Sequence, residues 1–393
     1  MPIHRRDFLK AALAVGGLSL CNAWAWGGQS EYAGRLVVIF LRGGLDGLFA
    51  FSPVADPRFA ALRPTLARRV LDEGIALGRS GFAAHPVCAP LAELFHAGEL
   101  AFAPCAGSID ISRSHFLAQD IFELGTGASK GASGFMSRAA SELDGDQDTI
   151  SFTSEVPLVF RGAVIPEVAQ FGTSRYKLPS GRFLEALRQT HAGEPTGEAL
   201  EQAISTEAAI AAALAEGGME RGADRGAAAA PAFARMARNM ARVLRANPRF
   251  SLAFVDLGGV DTHANQQTLL ERALTGLSEG IVAMRTELGD SEWRRTRVLV
   301  CSEFGRTVRE NGTGGTDHGH GGLMLLAGGA VPGGRMLGSF NGLDDAHLNE
   351  TRDLPVSLDW RDVLASSMKD CFAMDEAALN RIFPGRPGRP LQS

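Results

Sequence analysis

Between Ser302 and Gly322 the chain reads SEFGRTVRENGTGGTDHGHGG. This stretch holds two glutamates (Glu303, Glu310), two arginines (Arg306, Arg309), the cluster Asp317-His318-Gly319-His320 and seven glycines. Glycine lets a backbone close tightly around something small. Two imidazoles beside a carboxylate suit a divalent ion of intermediate softness. A polar surface loop with a chance His-Gly-His would have the same composition, so the metal reading needs partners elsewhere in the chain.

Three other stretches offer them. Arg42-Gly43-Gly44-Leu45-Asp46-Gly47 sets an acid among glycines, where a turn aspartate before a helix is the ordinary alternative. Gly258-Gly259-Val260-Asp261-Thr262-His263 places an acid and an imidazole two apart, on one side of an extended segment. Asp261 as a helix cap with His263 exposed is the alternative there. Ser112-Arg113-Ser114-His115 falls where a helix should begin. A hydroxyl at that position ordinarily caps the helix. Free amides there also favour an anion, and a serine becomes a nucleophile when a base or metal lowers its pKa.

The elements that must position these groups are apolar runs. Leu36–Leu41, Leu100–Cys105, Ser251–Leu257, Val298–Cys301 and Gly322–Ala327 read as strands covered on both faces. Ile150–Phe160 is strand-like. Helices are expected over His85–Gly98, from Ser112 through Leu124, over Phe135–Leu143 and over Arg361–Asp370. Another spans Gln267–Leu288, with Leu269, Leu270, Leu274, Leu277 and Ile281 on its apolar side. His85 and His96 read as helix-boundary or surface residues. The fold class is therefore α/β: three layers, a mostly parallel central sheet, and helices on both faces.

In such a sheet the carboxyl ends of the strands share one edge. Each chemical cluster follows a run or, for the His318/His320 loop, lies just before one. Seven ligand-type side chains could then meet: Asp46, Asp261, His263, Glu303, Asp317, His318 and His320. That set suits one divalent metal comfortably and two tightly, with Zn first and Mn, Fe, Mg or Ca as further candidates. Ser112, Ser114, Arg113, His115 and Arg306 are the catalytic candidates. A planar guanidinium suits an anionic ester, although Arg306 could equally serve a structural ion pair.

Size and charge bound the partners. The chain has 393 residues, 45% hydrophobic and 21% charged, enough for one large domain with a sizeable core. A net charge of -5 excludes the basic footprint of a nucleic-acid binder and leaves a small anionic substrate open. At the start, His4-Arg5-Arg6-Asp7-Phe8-Leu9-Lys10 precedes the apolar Ala11–Leu20 and the small-x-small Ala23-Trp24-Ala25. Residues 1–25 read as a twin-arginine export signal whose apolar stretch is too short to span a bilayer, hence no stable anchor. The twin-arginine machinery would be a partner in transit, and the destination periplasmic or secreted. One domain is expected over 34–384, with a helical, lid-like segment at 190–247 and a loose tail at 385–393. Cys88, Cys105, Cys301 and Cys371 show no Cys-x-x-Cys pattern, so no zinc-ribbon or redox motif is read.

The twin-arginine start, LRGGLDG, SRSHFLAQD, LGGVDTH and SEFGRTVRENGTGGTDHGHGG together resemble domain-of-unknown-function family 1501, placed in the alkaline-phosphatase/sulfatase superfamily. That resemblance implies an alkaline-phosphatase-like fold and metal-dependent hydrolysis of phosphate or sulfate esters. It implies Asp46 as first ligand and Ser112 or Ser114 as nucleophile. Asp261 and His263 would be ligands, with His318 or His320 as the final histidine. The chain departs from the superfamily at Glu303-Phe304-Gly305, where Asp-His-Gly is usual. That departure favours an alternative, a noncatalytic binding or assembly protein with a residual metal site.

Overall fold

Alternation along the first strand decides the architecture. All seven residues of β1 (Arg35–Leu41) are buried. Val37, Ile39 and Leu41 enter one apolar cluster, while Leu36, Val38 and Phe40 enter another. Side chains on a strand point to opposite faces in turn, so both faces of the sheet must be covered. In the computed structural model they are. The description covers residues 34–391, apart from 110–111, 144–146, 154–155, 165, 169–180 and most of 192–228. The signal read at 1–25 and most of the lid-like stretch lie outside the described residues.

The other strands are β2 (Phe51–Ser52), β3 (Ile75–Ala76), β4 (Ala83–Ala84), β5 (Leu100–Gly107), β6 (Asp148–Ser151) and β7 (Glu167–Val168). They continue with β8 (Phe250–Leu257), β9 (Thr296–Ser302), β10 (Gly322–Ala327) and β11 (Leu358–Asp359). Eight form the main sheet in the order β11-β5-β10-β9-β1-β8-β6-β7, and β2-β4-β3 form a small one. Every pairing in the main sheet is parallel except those of β10, which runs antiparallel to β5 and β9. The expected three-layer, mostly parallel α/β class is what forms.

One face carries α1 (Ala89–His96), α4 (Ala229–Ala246) and α5 (Gln266–Arg295). The opposite face carries α2 (His115–Leu124), α3 (Phe135–Ala140), α6 (Trp360–Phe372) and α7 (Glu376–Ile382). Leu270, Leu274, Leu277 and Ile281 are buried as their spacing predicts, whereas Leu269 is exposed. Gly289, at φ +72°, breaks α5 near its end. Of the strand-like stretch 150–160, Ile150 and Ser151 pair in the sheet, and Leu158–Phe160 forms a 3₁₀ turn. His85 is not a surface residue: it is fully buried and stacks on Phe49 with ring centroids 4.5 Å apart. Cys88, Cys105, Cys301 and Cys371 are free. Among the described residues no helix is long and apolar enough to cross a membrane.

The antiparallel β10 matters to the site. Its first residue lies at the same sheet edge as the last residues of β5, β1, β8 and β9. The loops leaving β5, β1 and β8, which carry Ser112–His115, Arg42–Asp46 and Asp261–His263 respectively, therefore meet the single connection from β9 to β10, which carries Glu303 and Asp317–His320.

Candidate metal centre

Three imidazoles converge at this edge. His115 opens α2, His263 follows β8, and His318 lies in the loop before β10. His318 Nε2 is 2.9 Å from His115 Nε2 and 2.9 Å from His263 Nε2. The Asp261 carboxylate joins them: Oδ1 is 3.0 Å from His263 Nε2 and 3.6 Å from His318 Nε2, and Oδ2 is 3.5 Å from His115 Nε2.

The partners on the far side of each ring assign the protons. His318 Nδ1 lies 2.9 Å from the Arg113 carbonyl, which can only accept, so Nδ1 carries the hydrogen. His115 Nδ1 lies 2.7 Å from Glu303 Oε1. Burial alone would raise the Glu303 pKa, but hydrogen bonds from His115, Gln119 and Ser302 hold it down at about 2, so it too accepts. His263 Nδ1 faces Asp317 Oδ1 at 3.3 Å. In their neutral forms all three rings thus turn bare Nε2 lone pairs toward one another and toward a carboxylate. That arrangement is repulsive unless a cation stands among them. On one side that charge is the Arg306 guanidinium, whose Nη1 lies 3.4 Å from His263 Nε2. The hydrogen bond to Glu303, chiefly, raises the His115 pKa above the ordinary imidazole value. Burial and then the charge on His115 lower that of His318.

The donor set fits a divalent ion. Donor atoms of His115, Asp261 and His318 all lie within 4.8 Å of one another. Two nitrogens on a tetrahedral zinc, each about 2.0–2.1 Å from it, are separated by roughly 3.3 Å. The 2.9 Å pairs need to open by only a few tenths of an ångström. Each ring also has the outer partner that metal-bound histidines use to fix their orientation. Asp261 and His263 are nearly half exposed, at 46% and 45%, so the centre is open on one side.

Glu303, expected as a ligand, is an outer partner. Gly43 N–H and Gln119 Nε2 each donate to its Oε1 at 2.9 Å, and Gly44 N–H donates to Oε2 at 3.1 Å. Its carboxylate is filled by these groups and by His115. Gly43 has φ +126°, and a Cβ there would lie 2.7 Å from Asp261 N, so only glycine permits this approach. Arg306 is buried and committed. Nε donates to Gly44 O at 2.6 Å and Nη1 to Thr316 O at 3.0 Å, while Nη2 reaches Gly43 O and, at 2.5 Å, Asp261 Oδ1. It ties three loops together instead of facing solvent. Phe304 is buried beside the rings, 4.9 Å from that of His115 and 5.0 Å from that of His318.

Other expected site residues are placed elsewhere. Asp46 caps the helical turn Gly47–Ala50 through Phe49 N–H. Its Oδ2 accepts from Arg63 at 2.7 Å and Gln266 at 2.6 Å, with Thr316 Oγ1 at 3.4 Å. None of these contacts involves the imidazoles. His320 turns the other way from His318, its Nε2 lying 3.1 Å from Ser108 O and its Nδ1 3.4 Å from Asn349 Nδ2. Arg113 pairs with Glu350 and Asp353, each at 2.9 Å, and contributes to the centre through its carbonyl. Ser112 Oγ accepts from Ser114 N–H at 3.2 Å, and Ser114 precedes α2 without a side-chain cap bond. Asp317 stands behind His263 instead of among the Nε2 atoms. His115, read as catalytic, is the residue placed among the donors. Gln119 carried no signal of its own beyond standing one helical turn after His115.

The family described as a protein of unknown function (DUF1501) matches residues 112–383. Comparison with curated proteins returns no match. Among solved structures, Ps i-CgsB in complex with k-i-k-neocarrahexaose aligns with TM-score 0.43 and 11% identity, over 88% of this chain and 74% of that one. A protein in the alkaline phosphatase superfamily from Vibrio parahaemolyticus aligns with TM-score 0.35 and 10% identity, over 78% of this chain and 63% of that one. Alkaline phosphatase from the Antarctic bacterium TAB5 gives 0.31 and 10%, over 78% and 95%.

Proposed function

We propose, from the premise that this chain belongs to the DUF1501 family of proteins of unknown function, that it is an exported, metal-dependent hydrolase of phosphate or sulfate esters. The observation that carries the reading is the gathering of the His115 and His318 Nε2 atoms and an Asp261 carboxylate oxygen within 4.8 Å of one another, with His263 Nε2 2.9 Å from that of His318. His115, His263, His318 and Asp261 would hold the ion, and zinc suits a donor set of three nitrogens and one carboxylate. A divalent ion there supplies Lewis acidity toward an ester oxygen. The half-exposed side at Asp261 and His263 favours a catalytic site over a closed structural one.

The chain's own groups set the geometry. Glu303 aims His115, the Arg113 carbonyl aims His318, and Asp317 backs His263. Phe304 fills the space beneath two of the rings and keeps water from it. Ser112 and Ser114 precede His115 and remain the candidate nucleophiles. The twin-arginine segment supports export.

One observation favours the noncatalytic alternative. Arg113 and Arg306, the arginines expected to grip an anion, spend their guanidinium groups on carboxylates and carbonyls. The test is metal analysis of the exported protein together with a phosphate- and sulfate-ester panel, run beside His318→Ala. About one zinc per chain with turnover, both lost in the variant, is expected. Zinc without turnover on either ester class would select the alternative, and a metal-free exported protein would remove both.

A further inference from the structure

Behind the centre lies a side chain whose orientation is dictated from outside it. Gln119 sits one turn beyond His115 on α2, and both reach the same atom, Glu303 Oε1, at 2.9 and 2.7 Å. Its other end lies 3.0 Å from Arg42 Nη1. A guanidinium only donates, so the end facing Arg42 is the amide oxygen and the end facing Glu303 is the NH₂. Arg42 is itself held, by Asp256 Oδ2 at 2.6 Å and by Glu123 Oε1 at 3.0 Å. Glu123 is anchored in turn by Val159 N–H at 3.0 Å. The amide therefore cannot reverse without breaking two hydrogen bonds at once.

We propose that Gln119 is a positioning residue for metal uptake: oriented by Arg42, it joins the Gly43 and Gly44 N–H groups and Ser302 Oγ in holding Glu303, so that Oε1 meets His115 Nδ1 and aims His115 Nε2 into the centre. This inference rests on the metal-binding part of the reading above. Gln119 touches none of the Nε2 atoms and acts only through Glu303. Outer partners of metal-bound histidines, the place Glu303 takes here, change metal affinity by about 10–100-fold when altered, and Gln119 acts through that partner.

The experiment uses the full chain, freed of metal, titrated with zinc against a chromophoric chelator. Gln119→Leu removes both hydrogen bonds at similar size. Gln119→Glu keeps the shape and the Arg42 contact but turns a carboxylate against Glu303. Each should bind zinc about tenfold or more weakly than wild type. The visible bands of the cobalt-loaded protein should shift. Wild-type affinity in both variants overturns the inference alone. So does a Gln119→Leu protein weakened in melting temperature and affinity beside a normal Gln119→Glu, since that pattern assigns Gln119 to packing. A wild-type chain that takes up no zinc overturns the underlying reading and this inference with it.

Discussion

Asp46 has the residue type of a ligand and the surroundings of an anchor. Its carboxylate and the Arg63 guanidinium are each only 1% exposed. Through Gln266 and Thr316 it braces the loops that bear His263 and His318. Breaking a buried pair strands the other charge, so Asp46→Ala should cost roughly 3–5 kcal/mol in chemical denaturation. The fraction that stays folded should still bind zinc at the wild-type ratio. Lost zinc with unchanged stability would make Asp46 a ligand after all. Residue type was legible here and direction was not. His318 and His320 are two apart in a glycine-rich loop, yet one faces His115 and the other the Ser108 carbonyl. Nothing in Asp-His-Gly-His says which imidazole turns inward, because the glycines leave the backbone free to choose.

At the level of elements the sequence was far more readable. The apolar runs that predict strands lie within or upon β1, β5, β8, β9 and β10, because long β-branched stretches have few other ways to bury both faces. Hidden from that reading was the antiparallel direction of β10, which brings the His318 loop to the shared edge. Also hidden was how closely that loop folds back on itself. Gly319 N–H donates to Gly305 O at 2.8 Å and Gly305 N–H to His320 O at 2.9 Å, so the two segments touch backbone to backbone. A Cβ on Gly319 would sit 2.5 Å from the carbonyl carbon and oxygen of Arg306. Gly319→Ala must push these segments apart, costing about 1–3 kcal/mol as overpacking does. It should also weaken zinc binding about tenfold by shifting His318 off its aim. Gly312→Ala in the same stretch meets nothing within 4 Å and serves as the control. Equal zinc affinity in the two variants would show that the loop contact does not set the centre.

For the molecule as a whole, pH reports how the two faces and the edge are balanced, because titratable groups in each are shifted in different directions. His85 lies on the α1 and α5 side, fully buried against Phe49. Its Nδ1 accepts from Val87 N–H at 3.4 Å, and its Nε2 has no partner within hydrogen-bond distance, the Glu271 carboxylate lying 3.6 Å away. Burial, chiefly, pushes its pKa down to about 4. It is neutral when folded and titrates near the ordinary 6.5 when unfolded. The unfolded chain therefore binds the extra proton between these values. Stability from His85 is complete above about 6.5 and is lost as pH falls toward about 4, by roughly 3 kcal/mol in all. His318, also lowered by burial, adds to the loss in the acid direction. His115 works the other way: its raised pKa gives stability that is present at low pH and lost as pH rises through its folded value. The metal-free chain should thus be most stable near about pH 6.5 and weaken on both sides. Denaturation of wild type and His85→Phe in chelator at pH 8, 6.5 and 4 separates the contributions. Phenylalanine keeps the stacking partner for Phe49 and cannot titrate, so the variant should lose about 3 kcal/mol less than wild type on the acid side. Its alkaline side, which belongs to His115, should not change. Parallel acid limbs in the two proteins would mean that His85 is protonated, or hydrated, in the folded chain, and that the acid sensitivity resides at the metal centre instead.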